Sequence, residues 1–140
     1  MKKIFFIFSG IAVIILGGCL NYTRHALSAE TNIAQAVKYQ KITSEEAKQM
    51  MDDGEAFILL DVRTEEEFKT NRIEGAVLIP NYEIEERASV ELPDKDARIL
   101  IYCRSGRRSA QAAKDLINMG YTNVFDFGGI IDWPYGTVGE

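Results

Sequence analysis

The sequence predicts an α/β domain built on a small, mainly parallel sheet flanked by helices, and three observations carry that prediction. Apolar runs without polar alternation recur at Phe57–Leu60, Gly75–Pro80 and Ile99–Tyr102, the pattern of strands buried on both faces. Helix-start signals lie between them: Thr43 with Glu46, and Thr64 with Glu67, each a capping-box pair. Finally, Ile99–Tyr102 runs straight into Cys103 and a short loop of small and basic residues. Helical spacing follows at Ala110, Ala112, Ala113, Leu116 and Ile117, and Gly120 sits where a left-handed cap is wanted. Strands alternating with helices make a parallel sheet.

Taken in order, the chain opens with Lys2-Lys3 and an almost wholly apolar stretch from Ile4 to Leu16. That length suits the core of a secretory signal and is short for a membrane-spanning helix. Leu16-Gly17-Gly18-Cys19 follows, and it resembles a bacterial lipobox. The resemblance implies a signal peptide over 1–18, cleavage before Cys19 and a lipid on its sulfur. The domain would then be exported and held through that lipid at the outer face of the cytoplasmic membrane, or at the outer membrane in a cell that has one. An uncleaved anchor and simple secretion are the alternatives. Residues 19–37 read as a lipid-anchored tether of mixed polarity, and its lone His25 as solvated linker.

The domain proper is expected over 38–138. Tyr39–Ile42 suits a short edge strand, and the Thr43 box opens a helix through Met51 whose buried stripe is Ala47, Met50 and Met51. Phe57–Leu60 forms a strand ending at Asp61-Val62-Arg63, and the Thr64 box opens a short helix carrying Phe68. Gly75–Pro80 reads as a turn and strand, Glu83–Val90 as helix, Leu92–Asp96 as surface loop and Asn123–Phe127 as the last strand.

Composition limits the function. Hydrophobic residues are 46% and charged residues 26% of the 140, which argues against disorder. A net charge of −5 makes nucleic acid a poor partner, because phosphate binding needs a basic face. Against that acidic background the arginines near Cys103 stand out as a local anion site. Cys19 and Cys103 are the two cysteines, and their contexts are too different for a disulfide framework. No residues show metal-ligand spacing, and no cofactor is implied.

Cys103 lies between a buried strand and a helix start, the crevice where open α/β sheets bind ligands. Inward N–H groups, the helix dipole and Arg104, Arg107 and Arg108 all favour thiolate over thiol, and the thiolate is the nucleophile. A structural core cysteine is the alternative, but one followed by Arg-Ser-Gly-Arg-Arg would be unusual. The sulfur is expected at the mouth of an amide-lined bowl, with Gly106 permitting its tight path.

Residues 103–109, Cys-Arg-Ser-Gly-Arg-Arg-Ser, resemble the active-site loop of the rhodanese (sulfurtransferase) family. Leu59–Phe68, Arg72–Pro80 and Gly120–Trp133 resemble further motifs of that family, in the right order. The resemblance implies the rhodanese fold and sulfur transfer from a small anionic donor such as thiosulfate to cyanide or a thiol. Cys103 would be the catalytic residue, passing through a persulfide. Arg104, Ser105, Gly106, Arg107, Arg108 and Ser109 would bind substrate, with a surface role or an acidic partner open for any single arginine. Asp61 and Arg63 would support the site as an ion pair, and Phe127 and Trp133 would close the core or the rim. A monomer is expected.

Two positions depart from the family's pattern: Arg72 stands where a histidine is common, and Ile130 replaces a tryptophan. Both predict altered packing rather than lost activity. A cysteine phosphatase or arsenate reductase is the enzymatic alternative. Those loops, however, resemble His-Cys-x5-Arg, whereas here Tyr102 precedes the cysteine and Ser109 stands six places after it. A non-catalytic exported binding module is the other alternative, since scaffolds host many functions.

Overall fold

A computed structural model describes residues 38–140; the signal, Cys19 and tether expectations lie outside the described residues. The elements in chain order are β1 (Gln40–Lys41), α1 (Ser44–Asp52), β2 (Ile58–Asp61), α2 (Glu65–Thr70), β3 (Val77–Leu78), α3 (Ile84–Glu91), β4 (Ile99–Cys103), α4 (Arg107–Asn118) and β5 (Val124–Gly129). The strands form one parallel sheet in the order β1-β5-β4-β2-β3, with β4 at its centre. Every β4 residue is buried, as its unbroken apolar run requires. Among the described residues no helix is long and apolar enough to cross a membrane.

Strand alternation splits the core in two. Ile99, Ile101 and Cys103 face the layer made by Ile84 and Ala88 of α3 and Ala112, Ala113 and Leu116 of α4. Leu100 and Tyr102 face the other side, with Ala47, Ile73, Phe127, Ile130 and Trp133. Both capping boxes are formed: Thr43 with Glu46, and Thr64 with Glu67. At the far end of α4 the Gly120 N–H reaches the Ile117 carbonyl at 2.9 Å and the Tyr121 N–H reaches Leu116 at 3.0 Å. Gly120 takes φ +92°, completing a Schellman turn.

Two strand boundaries and two burial expectations are among the points where the structure differs from the sequence expectation. β3 shrinks to Val77–Leu78, because Pro80 lacks an N–H and a 3₁₀ turn over Asn81–Glu83 follows at once. Leu92 is not surface: it is buried against the α3–α4 layer, and its carbonyl accepts the Tyr121 hydroxyl at 2.7 Å. Met50 and Met51 are only partly covered, so Ala47 is α1's single fully buried residue. β5 runs on to Gly129, since Gly129 pairs with Cys103 across a register shift. The two family departures are absorbed by packing. Ile130 joins the aromatic cluster. Arg72 lies 5.0 Å over the Phe68 ring, and its backbone bridges Val138.

Glu67 ties α2 to α4. Its carboxylate takes both arms of Arg108, at 2.7 and 2.8 Å, while also accepting the Thr64 N–H at 3.0 Å. The Arg108 guanidinium pulls the Glu67 pKa down to about 2, against partial burial that pushes it up and with help from the Thr64 N–H. A depressed carboxyl stabilises the fold fully above the ordinary carboxylate range near 4.3 and stops doing so as pH falls through about 2. Glu67→Gln, which keeps the cap and removes the charge, should cost about 2 kcal/mol at neutral pH. In urea titrations the gap from wild type should narrow below pH 4 and close by about pH 2; a constant gap would mean the charge contributes nothing.

Candidate active site

β4 ends on Cys103 and α4 begins at Arg107, so three residues make the whole connection. Gly106 is the residue before the helix and takes φ +96°, a conformation other L residues rarely adopt. That turn swings its N–H back over the cysteine, donating to Sγ at 3.1 Å. Burial alone would push the Cys103 thiol up. The Ser109 N–H and hydroxyl, with the Ser105 and Gly106 N–H groups, outweigh it and hold the thiol below its ordinary range. For a free cysteine among N–H groups at a helix start, the balance is shifted from thiol toward thiolate.

The sulfur is at the floor of this bowl rather than at its mouth, for Cys103 is only 1% exposed. It occupies the last position of a strand flanked on both sides, so only the loop lies above it. Beneath the loop the backbone of β5 comes very close. A Cβ on Gly129 would stand 2.7 Å from Ser105 Cα and closer still to the Arg104 carbonyl oxygen. The Ile131 N–H then holds that carbonyl at 3.3 Å. The register shift that brings Gly129 here is pinned by Asp126, which is fully buried and accepts the Gly128 N–H at 3.0 Å. Its second oxygen has no hydrogen-bond partner.

The loop residues named from sequence divide into three groups. Arg104, Ser105 and Arg107 are exposed, and neither Arg104 nor Arg107 makes an ion pair among the described residues. Arg108 does not point freely at the bowl: both arms are taken by Glu67, leaving its charge to act through space. Ser109 is fully buried, with its hydroxyl 3.1 Å from the Gly106 carbonyl and 3.3 Å from that of Gly128. Its place is under the loop, where its single proton is shared among those carbonyls and the thiolate. A charged acceptor has the stronger claim.

Asp61 and Arg63 are both buried and paired at 2.6 Å. Arg63 also donates to the Asn71 side chain at 3.1 Å and to its carbonyl at 2.6 Å, and it covers the Tyr102 ring at 5.6 Å. The pair therefore fixes the end of α2 over β4 and has no atom at the sulfur. A groove of about 590 Å³ opens beside the loop, lined by Arg63, Thr64, Glu67, Asn71, Arg104 and Ile131 among others. Among the described residues no group of three or more His, Cys, Asp and Glu could hold a metal ion.

Three contributors were not assigned from sequence. Glu67 reads there as a cap only. The Asp126–Gly128 and Gly129 contacts are long-range, and the adjacent Gly128-Gly129 at a strand end is the one signal that could have found them.

The described residues thus form a parallel α/β domain with a thiolate-favouring cysteine at the carboxyl end of its central strand. The chain belongs to the rhodanese-like domain family, whose model matches residues 43–134. It is 41% identical over 73 residues to the thiosulfate sulfurtransferase PspE of Escherichia coli, covering 52% of this chain and 70% of that protein. It is 43% identical over 94 residues to a sulfurtransferase of Allochromatium vinosum, covering 66% and 86%. Among solved structures, a rhodanese with anions from E. coli superposes with a TM-score of 0.57 at 38% identity, over 61% of this chain and all of that one.

Two substitutions probe this geometry. Ser109→Ala removes a donor to the thiolate, so the pH midpoint of Cys103 alkylation should move up and the rate at pH 6 should fall about tenfold. An unmoved midpoint would leave the hydroxyl to the carbonyls alone. Gly129→Ala should push the loop upward, costing about 2 kcal/mol and most of the Cys103 reactivity, measured by denaturation and alkylation in parallel.

Proposed function

We propose that this protein is a thiosulfate-type sulfurtransferase acting through a persulfide on Cys103. The observation that carries the reading is the Cys103 sulfur under the Gly106 N–H, with Ser105 and Ser109 donors around it. The thiolate attacks the outer sulfur of thiosulfate. The Sγ–S bond forms, the bond to the sulfonate sulfur breaks, and its electron pair leaves with sulfite. An acceptor nucleophile (cyanide, or a thiolate) then attacks the outer sulfur and releases the Cys103 thiolate. Kinetics are ping-pong, since the first product leaves before the acceptor reacts.

The buried sulfur suits this chemistry. A persulfide extends about 2 Å beyond Sγ and carries its negative charge into the bowl, where the amides stabilise it as they would an oxyanion. Arg104 and Arg107, exposed at the rim, draw in the anionic donor. The phosphatase alternative needs an arginine folded over a tetrahedral oxyanion, and Arg108, the nearest candidate, is engaged by Glu67. We also place the chain outside the cytoplasmic membrane, lipid-anchored at Cys19, on the strength of the Leu16-Gly17-Gly18-Cys19 motif behind an apolar leader.

After thiosulfate treatment the intact protein should gain the mass of one sulfur atom, lost again on adding cyanide. Cys103→Ser should neither gain it nor form thiocyanate, with activity down by at least about a thousandfold. Thiocyanate formation by that variant would move the nucleophile elsewhere. Robust turnover of aryl phosphates by the wild type would favour the phosphatase.

A further inference from the structure

A basic groove lies away from the cysteine in the described domain. It encloses about 460 Å³ and is lined by Lys38, Tyr39, Lys41, Lys114, Ile117 and Asn118, with no acidic residue among them. The three lysines are exposed, and none pairs with an acidic side chain among the described residues. Tyr39 and Ile117 rest partly on the α3–α4 core and partly in the open, giving the groove an apolar floor. The nearest acidic neighbour along α4, Asp115, accepts from Gln111 at 2.9 Å. This setting is unusual here, because Lys2, Lys3 and Arg24 precede the domain with Glu30 alone against them, leaving the domain more acidic than the whole chain.

Position gives the patch its meaning. The chain enters the domain at Lys38, inside the groove. β1 pairs with the first residues of β5, the amino end of the sheet, whereas Cys103 stands at the carboxyl end of β4. Lys114 and Ile117 lie about 10 to 15 Å down α4 from the loop. The patch and the candidate active site therefore occupy opposite ends of the same helix.

We propose that this face docks the domain onto an anionic lipid surface, with the lysines on headgroups, Tyr39 and Ile117 at the interface, and Cys103 turned outward. The inference rests on the reading that the leader or a lipid on Cys19 holds the chain at a membrane. The chain from Cys19 to Lys38 spans at most about 65 Å, so the patch is held close to the bilayer and weak contacts suffice. Lysines near an anionic leaflet each favour association about fivefold, and aromatic rings prefer the headgroup level.

The test uses the full chain reconstituted in vesicles of phosphatidylcholine alone, or with about one third phosphatidylglycerol. An amine-reactive reagent that cannot cross the bilayer is applied, and each lysine is read by peptide mass. Lys38, Lys41 and Lys114 should label at least about threefold more slowly on the anionic vesicles, with the difference gone near 1 M salt. Lys69, on α2, should label equally on both. Lys41→Glu and Lys114→Glu together should remove the protection of Lys38 on anionic vesicles, leaving sulfur transfer unchanged. Equal labelling of the three lysines on both vesicles overturns the proposal. So does equal protection on both, which would assign the face to another protein or a second copy. The same digest shows whether Cys19 carries a lipid. If it does not, yet the three lysines keep their anionic protection, the lipid reading falls and the docking surface stands.

Discussion

The site depends on one close approach of backbone to backbone. β5 passes so near the Arg104–Ser105 turn that a single methyl on Gly129 would displace it. Nothing with a side chain could lie there, and without that support the short connection from β4 to α4 would have no fixed height above Cys103. The shift of register on β5 exists to make this approach: Ile101 faces Asp126, but Cys103 faces Gly129, leaving one extra residue between. Asp126 takes the N–H freed by that shift, and a buried carboxylate is thereby committed to shaping a strand. Its unpartnered second oxygen is the cost.

Charge completes what backbone packing begins. Asp61 and Arg63 are sealed inside and bonded to each other, and Arg63 reaches Asn71, so the segment after α2 cannot drift from β4. Glu67 and Arg108 do the same on the other side, joining the start of α2 to the first turn of α4. Both pairs stiffen the walls without touching the sulfur. The positive charge left free sits on Arg104 and Arg107, at the rim, where an incoming anion would meet it first.

Local chemistry was largely legible in the sequence. Both capping boxes, the Gly120 turn and the buried central strand follow from neighbours within a few residues of one another, and each formed as read. What escaped is long-range. Glu67 shows a cap to its neighbours and a clamp only to Arg108, forty-one positions on. Leu92 looks like surface beside Pro93 and Asp94, yet Tyr121 packs against it from the far end of α4. The depth of the cysteine was hidden for the same reason. A strand end beside a basic loop suggests exposure, while the position of the loop that covers the sulfur is set by a different strand, β5.

That depth bears on selectivity. With the sulfur at the floor of a bowl formed by a three-residue connection, a reactant must present its reacting atom at the end of a narrow reach. The terminal sulfur of thiosulfate, the donor proposed above, would meet that demand, its charged sulfonate remaining outside near the exposed Arg104 and Arg107. A phosphate ester presents its phosphorus behind oxygens on every side, and the arginine that would cradle them is already spent on Glu67. In the proposed reaction a persulfide formed at the floor of the bowl would direct its outer atom toward the amide hydrogens, which would stabilise its charge. The proposed discrimination between donors thus comes from how far the sulfur is sunk, and the thiolate is favoured at that depth because the Ser109 N–H and hydroxyl and the Ser105 and Gly106 N–H groups outweigh its loss of water.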